Sequence, residues 1–287
     1  DRYIDFTYVF NRKKIQIHVI LPPVMFILKR YFKFYKNNGL LKSLVKIIST
    51  PVRLVNKMNY QKTKKDIFNE NSTKKRFDLI YEKNFWSSKE SVSGLGSQFD
   101  NTISIKDGIR DIIKKYDIKE ILDAPCGDFN WIKDVLSKDL TYTGVDIVEK
   151  LIQKNKNLNS HKNIDFLTLD ITKDKLPDSD LMICRDCLIH LSFESINSFF
   201  KNFLKSDIKY ILMTSYKLKD EKKRIVNLDI PDGEYREIDL FEPPFSLSEP
   251  YQKIIDKDEQ NKQSGFYCYL NLYSKKQINN LVLNKIK

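Results

Sequence analysis

The sequence predicts an α/β fold: a mostly parallel sheet of seven strands that closes on an antiparallel hairpin, preceded by a basic helical N-terminal extension. Three observations predict it. Between residues 119 and 191 four short apolar runs recur at the rhythm of strands separated by helices: KEILDAPCGDFNWI, YTGVDIVEKLI, IDFLTLDI and DLMICRDCLIHL. The first three close on an acid, Asp123, Asp146 and Asp170. Near the end EPYQKIID and FYCYLNLY flank the polar stretch KDEQNKQSG, as the two arms of a hairpin do. Finally, residues 1–75 carry 17 Lys and Arg against 4 Asp and Glu, whereas residues 76–287 carry 33 against 34, so the whole formal excess of +12 sits on the N-terminal arm.

The length of 287 residues, with 41% hydrophobic and 31% charged content, suffices for one large domain with an added segment and excludes a fibrous or low-complexity chain. It opens at Asp1 without a methionine, as a fragment or a processed product would. The most apolar stretch, residues 15–28, is interrupted by Pro22-Pro23 and falls short of the roughly 20 residues that a spanning helix needs, and no small-residue cleavage site follows it. Leu28, Tyr31, Phe32, Phe34 and Tyr35 then alternate with Lys29, Arg30, Lys33 and Lys36, and LLKSLVKIISTPVRLV follows, with Pro51 expected to end it. A basic amphipathic helix of this kind lies on an anionic membrane or docks on a partner; its plain alternative is a surface helix packed on the main domain. The domain boundary is placed at residues 75 and 76.

From residue 76 the chain predicts a helix with Phe77, Ile80, Tyr81 and Phe85 on one face, then a Ser/Gly loop to residue 104 that either closes over a ligand as a lid or merely connects. Trp86, before that loop, is expected in the core. A helix over 105–116 leads into strand 119–123, helix 129–137, strand 141–146, helix 147–155, strands 164–169 and 180–186, helix 192–205 and strand 208–215, an order that calls for parallel strands and right-handed crossovers. The segment 229–250, DIPDGEYREIDLFEPPFSLSEP, contains four prolines and excludes regular structure over most of its length; it is long, aromatic and acidic, as a substrate-shaping insertion is. Within it Tyr235, Asp239 and Glu249 are either acceptor contacts or ordinary solvated loop residues. Cys184, Cys187 and His190 form C-x-x-C-x-x-H, but a strand sends the two thiols to opposite faces, so no metal is assigned.

The chemistry concentrates at the carboxyl ends of the strands. Asp123 ends the first, Gly127 permits a tight turn where backbone meets a ligand, and Asp128 is placed to cap the next helix. Asp146 ends the second strand, where a carboxylate accepts both hydroxyls of a ribose, and Asp170 ends the third, where it takes an exocyclic amine. A sugar diol and an adenine are the ligand parts these positions suit.

On these residues the chain resembles the class I S-adenosylmethionine-dependent methyltransferases over about residues 90–275, which implies a Rossmann-like methyltransferase sheet and S-adenosyl-L-methionine as cofactor. The resemblance places Asp123 and Gly127 on the methionine side, Asp146 at the ribose, Asp170 and the backbone of Ile171 at the adenine, and Pro125, Cys126, Ile147 and Ser97 among the cofactor contacts. CRDCLIHLSFESI is similar to the family's fourth motif, in which Asp186 and His190 face the transferred methyl. Only the middle glycine of the usual first motif is kept. The D-x-P-C-G-D form resembles a bacterial subgroup that also carries an upstream E-S-V-S-G-x-G-S loop and a downstream P-P-F-x-x-x-E-P segment, here Glu90 to Ser97 and Pro243 to Pro250.

Methyl transfer is an in-line displacement, so the protein aligns the acceptor and, for an alcohol, removes its proton. Asp186 and His190 are the candidates for the base, with a helix-capping carboxylate and a structural histidine as the plain alternatives, and Arg185 is the candidate to orient an anionic acceptor. The expected activity is O-methylation of a small molecule or glycan, such as a cell-surface saccharide precursor, in the cytoplasm or at the inner membrane face. The alternatives are an RNA acceptor tracked by the basic arm, which a near-neutral domain disfavours, and a non-catalytic binding module. A nicotinamide oxidoreductase is disfavoured by the missing glycine spacing.

Overall fold

The computed structural model describes residues 3–10, 13–20, 40–86, 88–256 and 264–279, in two compact units, Asp1–Lys62 and Thr63–Lys287. In the smaller unit β1 (Tyr3–Phe10) pairs antiparallel with β2 (Lys13–Ile20), Tyr3 opposite Ile20 and Phe10 opposite Lys13. Residues 15–20, expected as part of one apolar stretch, instead form most of β2, because the strands of this hairpin alternate polar and apolar residues. Leu28 to Lys36, with their interleaved charges, lie outside the described residues. Helix α1 (Leu40–Phe68) passes through Pro51 instead of ending there. The ring removes one N–H from the ladder, a loss the bonds on either side of it outweigh in a helix of this length. No helix among the described residues is long and apolar enough to cross a membrane.

The larger unit is built on a seven-stranded sheet. Its strands are β3 (Glu120–Asp123), β4 (Thr141–Asp146), β5 (Ile164–Thr168), β6 (Leu181–Cys184), β7 (Tyr210–Leu218), β8 (Gln252–Asp256) and β9 (Phe266–Ser274), in the spatial order β5-β4-β3-β6-β7-β9-β8. The first five are parallel, and β9 runs antiparallel between β7 and β8. The chain steps from β3 outward to β5, then returns to β6 on the other side of β3. Loops leaving β3 and β6 therefore diverge, and they open a crevice at the carboxyl edge.

Helices cover both faces. On α3 (Ile103–Lys115) Ile105, Ile109 and Ile112 are buried at the spacing of one helical stripe, and on α5 (Phe193–Lys205) Ile196, Phe199, Phe200 and Phe203 are. Ser192 caps α5 by accepting from the Ser195 N–H, and Ser72 caps α2 (Thr73–Glu82) by accepting from Lys75. Helix α4 is Glu149–Asn159. β5 ends at Thr168, so Asp170 stands two residues past the strand, in the loop.

The helix expected over 129–137 is absent; the segment holds one short 3-10 turn, Ile132–Asp134. Gly127 and Phe129 both adopt left-handed φ, 53° and 59°, which turns the chain away from a helical path, and buried Phe129 and Trp131 fix it there. Segment 229–250 has no regular element, as its prolines require, but is well tied down: Gly233 N–H donates to the His190 carbonyl at 2.7 Å, Arg236 N–H to that of Ile189, and Tyr216 N–H to that of Ile238. Asp232 accepts from Thr73 Oγ1, Ser192 N–H and Ser195 Oγ, joining α2, α5 and the insertion.

Candidate active site

A cleft of about 550 Å³ lies in this crevice, within the range usual for small-ligand sites. Asp123, Pro125, Cys126, Gly127, Asp146, Ile147, Asp170, Ile171 and Ser97 line it, together with Arg185, Asp186 and His190. The strand ends bring these distant residues together.

Asp123 is buried and accepts from Tyr142 Oη at 2.7 Å. Burial pushes its carboxyl up to about 7, against the pull of the Tyr142 bond and of Arg185. Asp146 is also pushed up, to about 6, by burial, although it accepts from the N–H of Val148 at 3.0 Å and of Gly127 at 3.2 Å. Two buried carboxylates whose partners are all donors on their own chain are poised for further donors from a ligand. Asp170 differs: burial alone would raise it, but bonds from Thr172 and Lys173 hold it below the usual range. Beside it the Ile171 N–H meets no acceptor among the described residues, while the Ile171 carbonyl accepts from Asn202. Burial pushes the Cys126 thiol well up, which excludes a thiolate nucleophile.

Aromatic side chains, Phe77, Tyr81, Trp86, Tyr216 and Tyr235, also line the cleft. His190 sits there at the end of the 3-10 turn Leu188–His190, its ring stacked on Trp86 at 4.8 Å and 27°. Its Nδ1 is 2.7 Å from the Glu234 carbonyl. A carbonyl only accepts, so Nδ1 bears the hydrogen and Nε2 of the neutral ring bears the lone pair. Asp186, at φ 51°, donates its N–H to Thr214 Oγ1 on β7 at 2.8 Å, which presents its half-buried carboxylate at the cleft.

Arg185 is placed otherwise than an anion clamp requires. Its Nε and Nη2 bind both oxygens of buried Asp256 at 2.8 and 2.9 Å, Nη2 also donates to the Gly96 carbonyl, and Asp186 lies 3.6 Å from Nη1. Burial would lower its pKa, but the charges of Asp256 and Asp186 raise it further, so it stays charged and already neutralised. Among the described residues it is the only Lys or Arg lining the cleft.

Trp86, expected in the core, lines the cleft. It is wedged between His190 and Gly94, at which an added Cβ would stand 3.3 Å from the indole's own Cβ. Asp128 caps no helix; its carboxylate binds the 88–99 loop instead. Of the insertion's candidates Tyr235 reaches the cleft, whereas Asp239 is buried against its own loop and Glu249 pairs with Lys253 away from it. The cleft contacts of Trp86 and Tyr235 left no periodic signal, because they arise from chain segments packed from far away in sequence.

Residues 121–206 match the family described as "Methyltransferase domain". Over that stretch the chain is similar to a methyltransferase domain. Its strand order is that of the S-adenosylmethionine-dependent methyltransferase fold. Two solved structures share the methyltransferase's fold. A SAM-dependent methyltransferase from Leishmania major has 18% identity and a TM-score of 0.50, covering 67% of this chain and 82% of its own. The 1,6-didemethyltoxoflavin-N1-methyltransferase of Burkholderia thailandensis has 14% identity and a TM-score of 0.50, covering 70% and 86%. No curated protein matches the methyltransferase.

Proposed function

We propose that the methyltransferase methylates a hydroxyl of a small or glycan acceptor, of which a cell-surface saccharide precursor is the favoured kind. The observation that carries this is His190, held by the Glu234 carbonyl with its basic nitrogen at Nε2 and stacked on Trp86, in a cleft that two buried carboxylates also line. The residues present fit S-adenosylmethionine: Asp146 offers acceptor oxygens to a ribose diol, the Ile171 N–H offers a donor to an adenine ring nitrogen, and Asp123 offers a carboxylate to an ammonium. Asp170, Pro125, Cys126, Gly127, Ile147 and Ser97 line the same cleft. When bound, the cofactor supplies an electrophilic methyl on a cationic sulfonium.

The protein's own contribution is then to orient and to deprotonate. Trp86 and Tyr235 hold the plane of His190, whose Nε2 takes the acceptor's proton, and Asp186 accepts a second hydroxyl. Arg185 positions Asp186 and the roof at Gly96 instead of binding the acceptor. The saccharide part rests on the resemblance of residues 123–128, 90–97 and 243–250 to the bacterial subgroup. With Arg185 neutralised, no Lys or Arg among the described residues lining the cleft is left for a polyanion, so RNA is not favoured.

The basic arm suits an anionic membrane surface, in keeping with a cytoplasmic protein peripheral on the inner face. Leu54, Val55 and Met58 of α1 are exposed, and Lys57 lies among them in the sequence. Cosedimentation with anionic but not neutral vesicles tests that part. Mass spectrometry of surface glycans and metabolites from cells with and without the protein tests the acceptor: a glycan or alcohol lighter by one methylene is expected, and a change confined to RNA would replace this proposal with the RNA reading.

A further inference from the structure

The loop over residues 88–99 is fastened to the turn after β3 by a set of bonds that converge on one carboxylate. Asp128 accepts from Ser91 Oγ at 2.9 Å, from the Val92 N–H at 2.9 Å and from Ser93 Oγ at 3.3 Å, and its own N–H donates to Ser93 Oγ at 3.0 Å. Each of its side-chain bonds goes to this loop, and Asp128 itself does not line the cleft. Val92 to Ser97 do line it. Glu90 and Asn130 add a second fastening at 2.7 Å, and the Arg185 bond to the Gly96 carbonyl a third. Ser93 rests so closely on Gly127 that a methyl there would overlap its hydroxyl.

We propose that Asp128 is a positioning residue that latches this loop down as the roof of the cofactor site, so that cofactor retention depends on its carboxylate. The proposal rests on the assignment of that site to S-adenosylmethionine. The roof and the Gly127 turn move as one body, because lifting the loop breaks three charge-assisted bonds together. The charge is what an amide of the same shape lacks: it can keep an oxygen on the Val92 N–H, but its NH₂ then makes both serine hydroxyls turn round to accept, and none of the three bonds is charge-assisted any longer.

The test compares wild type, Asp128→Asn, the milder Ser93→Ala and the remote control Glu242→Gln, whose carboxylate pairs with exposed Arg224. Two measurements are made: amide exchange of the 88–99 peptide without ligand, and release of S-adenosylhomocysteine followed by fluorescence. The chain's 2 tryptophans, Trp86 and Trp131, both line the cleft. In Asp128→Asn the loop should lose protection while the sheet keeps its own, and release should quicken by roughly tenfold or more; Ser93→Ala should fall between, and Glu242→Gln should match wild type. If Asp128→Asn melts too low to handle, Ser93→Ala decides by the same two readings. Wild-type exchange in the variant loop, or a loosened loop with unchanged release, overturns the latch alone. A wild-type protein that binds no S-adenosylhomocysteine overturns the cofactor assignment, and the proposal with it.

Discussion

Acidification should weaken cofactor binding through the two buried carboxylates. Burial raises Asp123 to about 7 and Asp146 to about 6 in the ligand-free protein. A ligand ammonium needs Asp123 ionised. If only the ionised form binds, affinity at about pH 6 falls roughly tenfold below its value at about pH 8 from Asp123 alone, and roughly twentyfold if Asp146 must ionise too. S-adenosylhomocysteine keeps its ammonium and carboxylate charges across this range, so the slope belongs to the protein. Tryptophan fluorescence titrations at several pH values read it directly, since both indoles line the cleft. The ligand-free fold should respond in the opposite sense. A carboxyl raised above its unfolded value holds its proton longer when folded, so these two groups favour the folded state most in acid, and that contribution is lost as pH rises from about 4 to about 7. Asp123→Asn, neutral throughout, should begin at the weak plateau and flatten the slope. An affinity constant from about pH 8 to about pH 6, or an unchanged slope in Asp123→Asn, would refute the reasoning.

Three other perturbations have definite outcomes. Arg185→Met removes the paired bonds from the guanidinium to buried Asp256 and should cost about 3–5 kcal/mol in denaturant unfolding, with part regained in the Arg185→Met/Asp256→Leu double variant. Gly127→Ala places a side chain at φ 53° and against Ser93 Oγ, so the melting temperature should fall and S-adenosylhomocysteine binding should weaken together. His190→Gln should lower kcat for an alcohol acceptor by about 10²–10⁴ while leaving S-adenosylhomocysteine affinity within about twofold, a split that stopped-flow binding and turnover assays separate.

Much of the fold was legible because strands and helices announce themselves locally. The runs ending in Asp123 and Asp146, the apolar stripe of Ile105, Ile109 and Ile112, and the prolines of 229–250 each declare an element within a dozen residues. Where local signals conflicted with distant partners, reading failed. The turn after Gly127 has the composition of a helix start, yet it gives Asp128 and Asn130 to a loop more than thirty residues earlier, and no helix forms over 129–137. Pro51 signals an end that a long helix overrides.

The sequence by itself determined the class of sheet, the order of its strands along the chain and the acids at their ends, because periodicity and charge are properties of neighbours. Only the tertiary structure decided what those groups do. Arg185 is spent on Asp256, 71 residues away, and so is no anion clamp; His190 owes its tautomer to a carbonyl 44 residues away; Trp86 stacks on that histidine instead of entering the core. The physical reason is common to all three. Hydrogen bonds and buried charges act over a few ångströms, and which groups come that close is settled by the packing of whole elements rather than by the sequence beside them.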